Sequence, residues 1–184
     1  MVVLGIHHRL AKCVNQTNMT SNCLAMTSNN ELVNTNKTIS DINIVTSIGW
    51  FVVTAWLEKD SNSSSSTTKV MVITSQNGGQ SYSHPSQIVL DSNSSKRNLH
   101  LGIIPVHVYA TYEQDMGSNK YDVFLVKTDD GGLIFQVPSI NLSHSPEAVG
   151  DSILTVDPIY GKQIVTCFDD DIRNYSPSKI VTGN

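Results

Sequence analysis

The carboxylates that close several apolar runs are the first residues in this chain whose types and spacing could support chemistry. Glu58, Glu113 and Asp169, with Asp170 and Asp171 beside the last, follow segments that end in an aromatic: "FVVTAWLEKD", "VYATYEQD" and "IVTCFDDD". Two carboxyl groups facing one another across a gap are what glycoside hydrolysis requires. If the three segments are copies of one element, Glu58, Glu113 and Asp169 would gather near one face. A ring of carboxylate oxygens there would suit Ca²⁺. The plainer reading, which the sequence favours, is charged strand ends facing solvent, with no cofactor. The histidines His7, His8, His84, His100, His107 and His144 are scattered, and no metal-ligand spacing joins them. Neither Gly-x-Ser-x-Gly, nor a phosphate loop, nor a dinucleotide fingerprint occurs. No residue is therefore assigned a catalytic role, and no metal site is expected.

The elements that carry these carboxylates repeat. Trp56, Tyr112 and Phe168, the aromatics closing the three segments, lie 56 positions apart. Between them fall two octapeptides of one pattern, "SQNGGQSY" at 75–82 and "TDDGGLIF" at 128–135. Each has a hydroxyl residue, an Asn or Asp two places on, a Gly-Gly pair and a final aromatic. Two independent landmarks sharing nearly one period make an internal repeat. One unit then reads as an apolar opening strand, the strand ending in the aromatic, a variable polar loop, a third strand ("VMVIT", "VFLVK"), the Gly-Gly turn, and a Pro-containing fourth strand. Short β-branched runs bounded by Gly, Asn, Asp and Ser predict antiparallel strands. Four strands in some 50–56 residues match a β-propeller blade. The expectation is an all-β chain with a degenerate or partial repeat over residues 1–38, blades over 39–95 and 96–150, and an incomplete blade over 151–184. Trp56, Tyr112 and Phe168 are expected in the blade cores.

Composition sets limits on the surroundings. Charged residues make up only 15% of the chain and the formal net charge is −4, so no basic patch is available for nucleic acid or anionic lipid. No apolar stretch has the length of a membrane span. Asn-x-Ser/Thr sequons at Asn15, Asn18, Asn36, Asn62, Asn93, Asn141 and Asn174 point to an extracellular or cell-surface protein, although no signal peptide is visible. Of the three cysteines, Cys13 and Cys23 would close a small loop in an oxidising compartment. Cys167, inside "QIVTCF", reads as a buried thiol.

The octapeptides resemble the Asp-box, the Ser-x-Asp-x-Gly-x-Thr-Trp pattern found on blades of sialidases and of many other propellers. Ser75, Asn77, Gly79, Ser81 and Tyr82 fill its five places in the first copy, with Gly78 completing the Gly-Gly pair. Thr128, Asp130, Gly132 and Phe135 fill four in the second, beside Gly131, and Ile134 stands where the second hydroxyl belongs. The chemistry of the motif is structural. Gly-Gly supplies positive φ without Cβ strain, and the Asp or Asn accepts hydrogen bonds from the N–H groups of the turn.

The resemblance implies an incomplete sialidase-like propeller, with the Asp-box on the rim away from any substrate pocket. Sialidases also bring three arginines onto a substrate carboxylate beside a Tyr–Glu nucleophile pair. Arg9 lies in "HHRLAK", which does not resemble the Phe/Tyr-Arg-Ile-Pro motif of sialidases, and Arg97 and Arg173 do not share a place in the repeat and read as solvated loop charges. The function expected is therefore a non-catalytic, secreted or cell-surface module that binds a glycan or protein partner. The alternative is a fragment of a sialidase-type glycoside hydrolase without its own catalytic set. About three blades are too few to close a ring. The chain is therefore expected either to belong to a longer protein with flanking blades or to self-associate.

Overall fold

Runs such as "FVVTAWLEK" and "YDVFLVK" bring β-branched and aromatic side chains to both sides of an extended backbone, and such residues pack best on a pleated sheet. The computed structural model is all-β and describes residues 2–13, 23–35, 37–48, 50–60, 67–89, 94–118, 120–144, 149–157, 164–170 and 179–183. Side chains are described for residue 33 and for most positions between 37 and 157. No helix among the described residues is long and apolar enough to cross a membrane.

The chain divides into two units, Met1–Asn36 and Lys37–Asn184. The first is an antiparallel pair of long strands, β1 (Val2–Cys13) and β2 (Cys23–Thr35). Its register sets Cys13 opposite Cys23.

The second unit holds three antiparallel meanders. The first runs β3 (Thr38–Thr46), β4 (Val52–Lys59), β5 (Lys69–Ser75) and β6 (Ser86–Gln87), in that spatial order. The next repeats it with β7 (Lys96–Ile104), β8 (His107–Gly117), β9 (Lys120–Thr128) and β10 (Ile140–Asn141). The last contains β11 (Val149–Val156), β12 (Ile164–Asp170) and β13 (Lys179–Gly183), so "KIVTG" takes the third-strand place of β5 and β9. The four-stranded sheets are open, and their fourth strands are only two residues long.

Successive sheets pack face to face. Ala55, Leu57 and Val72 of the first sheet meet Leu99, Ala110 and Tyr112 of the second in one buried cluster. Leu57, Val72 and Leu99 each contribute about 1.5–3 kcal/mol when removed from water. The alternation along β4 sends Ala55 and Leu57 to this face and Trp56 to the other. Trp56 and Tyr112 are both 0% exposed. Phe168 lies in β12, where the structure describes the backbone alone.

The first strand of each sheet in the second unit carries the same irregularity. Register shifts fall between Ser40 and Asn43, Arg97 and His100, and Gly150 and Ile153. Within them Asp41, Asn98 and Asp151 adopt φ of 49°, 50° and 54°. This is the left-handed conformation of a β-bulge, which Asp and Asn enter more readily than most residues. The bulge is a third landmark of the repeat, and it sits where neighbouring sheets meet.

Candidate functional site

The Gly-Gly turns connect the third and fourth strands and position the rest of the rim. In the first turn, Ser75 Oγ donates to Asn77 Oδ1 (2.9 Å) and accepts the Gly79 N–H (2.9 Å). Asn77 Oδ1 also accepts the Ser81 N–H (2.9 Å), and Asn77 Nδ2 donates to Ser81 Oγ (2.8 Å). In the second turn, the Thr128 hydroxyl donates to Asp130. The Asp130 carboxylate accepts the N–H groups of Leu133 (2.9 Å) and Ile134 (3.1 Å). Burial alone would raise the Asp130 pKa. The hydrogen bonds from Thr128 and from the N–H groups of Ile134, Leu133 and Gly132 outweigh it and hold the carboxyl below its ordinary value. Gly78, Gly79, Gly131 and Gly132 have φ of 69°, 86°, 77° and 94°, which only glycine adopts without strain. Tyr82 and Phe135 leave the turns half-buried, and Phe135 packs against the core cluster.

Each turn is tied to the hairpin between its own first two strands. Gly78 N–H donates to the carbonyl of Trp50, and Gly131 N–H to that of Val106, both at 2.8 Å. The next side chain along reaches the neighbouring sheet, because Phe51 lies against Gly131 with no room there for a Cβ. A Cβ on Gly78 would come within 2.7 Å of the Trp50 ring. The two turns and the β3–β4 hairpin therefore form one continuous rim.

Large apolar side chains stand exposed on that rim: Ile48 (92%), Trp50 (69%) and Ile134 (75%), joined by Leu133 and Val137. Trp50 has φ of 65°, a conformation unusual for a bulky residue and one that costs about 1–3 kcal/mol. The hydrogen bond to its carbonyl and the seat on Gly78 hold it there.

The acidic residues form a different set from the one their spacing suggests. Glu113 is 0% exposed and bridges two sheets. Its Oε1 accepts from Asn98 Nδ2 (2.8 Å) and from the Ser152 N–H in β11 (2.9 Å), and its Oε2 accepts from Arg97 Nε (2.8 Å). Arg97 also lies over the Tyr121 ring at 3.9 Å, so it is a paired strand residue and not a solvated loop charge. The pairings Glu113–Val123 and Leu57–Val70 show that Leu57 holds the place of Glu113 in the first sheet. Glu58 is one residue further on and so faces the opposite side, where it accepts from Lys37 Nζ (2.9 Å). Glu58 and Glu113 are thus not equivalent, and they do not form the oxygen ring that their positions after the aromatics suggest. Asp169, in register with Gly150, does share the place of Glu113.

Among the described residues no group of three or more His, Cys, Asp or Glu side chains could hold a metal ion. His107 meets Asp129 at 2.8 Å on the surface, and Gln136 Nε2 donates to the other Asp129 oxygen (3.0 Å). Arg9 and Arg173 lie outside the described side chains. The sequence reading missed Ile48 and Trp50. The available signal was a tryptophan directly after Gly49, between two strands. No family model matches the chain, and no curated protein matches it.

Proposed function

We propose that the chain is a non-catalytic part of an Asp-box β-propeller that works outside the cell, and that it binds a protein partner through the rim around Trp50. One observation carries this reading. Trp50 is 69% exposed in a strained backbone conformation and is seated on the Gly-Gly turn. Strain retained at an exposed aromatic marks a position kept for contact, not for packing. Tryptophan surrounded by aliphatic groups is the usual make-up of an interface hot spot. Ile48, Leu133, Ile134 and Val137 add apolar area without the hydrogen-bonding groups that a sugar ring would need, which favours protein. Trp50 alone favours the second reading, a glycan stacked on its indole face. The acidic residues support a binding role as well, since Glu113, Glu58 and Asp130 hold the scaffold together.

The test compares the wild-type chain with Trp50→Ser on a glycan array and against immobilised extracellular protein extracts. A protein retained by the wild type and lost by a variant of unchanged denaturation midpoint supports the proposal. Equal retention by both overturns it. Glycan binding that needs Trp50 moves the assignment to the second reading, and turnover of a fluorogenic sialoside would return the chain to the hydrolases.

A further inference from the structure

Both Gly-Gly turns place a glycine directly after their Asn or Asp, as Asn77–Gly78 and Asp130–Gly131. That order has a chemistry of its own. A backbone nitrogen can attack the side-chain carbonyl carbon of the residue before it and close a five-membered imide. Glycine, without a Cβ, obstructs that approach least. In the folded first turn the reacting groups are held apart. Gly78 N–H donates to the Trp50 carbonyl (2.8 Å), which aims the nitrogen at the β3–β4 hairpin. The Asn77 side chain is turned across the loop instead. Its Oδ1 accepts from the Ser75 hydroxyl and the Ser81 N–H, and its Nδ2 donates to Ser81 Oγ. The Trp50 ring lies against Gly78, where a Cβ would come within 2.7 Å of it. Asn77 itself is exposed, so these contacts restrain it and burial does not.

We propose that Asn77 is a deamidation site gated by Trp50: the turn must release the Trp50 carbonyl before the Gly78 nitrogen can react. The nitrogen gives its proton to solvent and bonds to Asn77 Cγ. The Cγ–Nδ2 bond breaks, and Nδ2 takes up a proton from solvent and leaves as ammonia. Water then opens the succinimide at one of its two carbonyl carbons. Opening at Cγ leaves aspartate in the original chain. Opening at the main-chain carbonyl leaves isoaspartate, with the chain running through the side-chain methylene. The fold accepts the first product, since Asp130 holds the same place in the second turn and accepts the N–H groups of Leu133 and Ile134. At position 77 a carboxylate keeps both bonds to Oδ1, and the Ser81 hydroxyl turns to donate to the new oxygen. Isoaspartate lengthens the backbone and draws the Gly78 N–H away from the Trp50 carbonyl. It thereby releases the exposed aromatic of the rim, whatever that aromatic binds.

Peptide mapping of the full chain after incubation in heavy-oxygen water at mildly alkaline pH tests the proposal, with isoaspartate assayed in the same digests. Conversion at Asn77 should be about tenfold or more slower in the folded chain than in urea, where the turn is open. Trp50→Gly removes the ring and frees the carbonyl to turn away while sparing the fold, because glycine accepts the positive φ of this position. It should raise the folded-state rate at Asn77 about fivefold or more. The second turn is the internal control, because Gly131 N–H is held by Val106 and Gly131 lies against Phe51. Isoaspartate at Asp130 should stay at its wild-type level in the variant, whereas general unfolding would raise it at both turns. No conversion at Asn77 in urea overturns the proposal, as do equal rates in urea and in the folded wild type. So does a variant that converts no faster, or one that gains isoaspartate equally at both turns.

Discussion

Glu113 of β8 accepts the backbone N–H of Ser152 in β11 at 2.9 Å, which joins one sheet to the next through a carboxylate with no exposure to solvent. Its remaining bonds, from Arg97 and Asn98, come from its own sheet. A buried acceptor with charged and neutral donors arranged around it is stabilising as a set and costly to break in part. Glu113→Ala should therefore lower stability by roughly 2–4 kcal/mol. Glu113→Gln, which keeps an acceptor, should lose less. Urea midpoints unchanged in both variants would remove this residue from the junction.

Gly131 and Gly117 separate two costs of a side chain at positive φ. Both are left-handed, at 77° and 88°. A Cβ on Gly117 meets nothing within 4 Å, whereas one on Gly131 collides with Phe51. Gly117→Val should cost only backbone strain, about 1–2 kcal/mol. Gly131→Val should add overpacking of about 1–3 kcal/mol. Equal losses from the two, measured by denaturation, would mean that Phe51 does not close on the second turn.

The two turns should respond differently to acid. The Asp130 carboxyl titrates below its ordinary value of 3.8, so its contribution to folding is complete above that value. It is lost as pH falls through the lower value of the folded state. Asn77 occupies the same place in the first turn and does not titrate. Amide exchange at Ile134 should therefore rise, relative to Ser81, on acidification below about pH 4. Asp130→Asn should abolish that difference. Parallel behaviour of the two amides in the wild type would contradict it.

The strands and the Gly-Gly turns were legible in the sequence because their signals are local. "VMVIT" and "VFLVK" alternate within themselves, and Gly78–Gly79 declares a turn without reference to anything distant. The bulges were not legible. Asp41, Asn98 and Asp151 recur at nearly the blade period, but in a chain rich in Asn, Asp and Ser they are hidden among similar residues. The carboxylates misled for a related reason. Glu58 follows Trp56 by two places and Glu113 follows Tyr112 by one, and a one-residue offset in a strand reverses the face. Only the register, fixed by pairing with Val70 and Val123, decides between them. Trp50 was missed because its exposure depends on a turn that lies 28 positions later in the chain.

The two tryptophans provide the sharpest contrast between scaffold and surface. Trp56 is 0% exposed and Trp50 is 69% exposed, so each can be read in a variant in which the other is Phe. Iodide should quench the Trp50 emission strongly and the Trp56 emission hardly at all. The energetic effects should also diverge. Trp56→Ala removes a buried ring and should cost about 3–5 kcal/mol. Trp50→Gly gives up the contact with Gly78 but releases a backbone held at φ 65°. Its net effect should lie within about 1 kcal/mol of zero, with stabilisation the expected sign if strain outweighs contact. A loss from Trp50→Gly as large as that from Trp56→Ala would make Trp50 a core residue and leave the rim without its anchor.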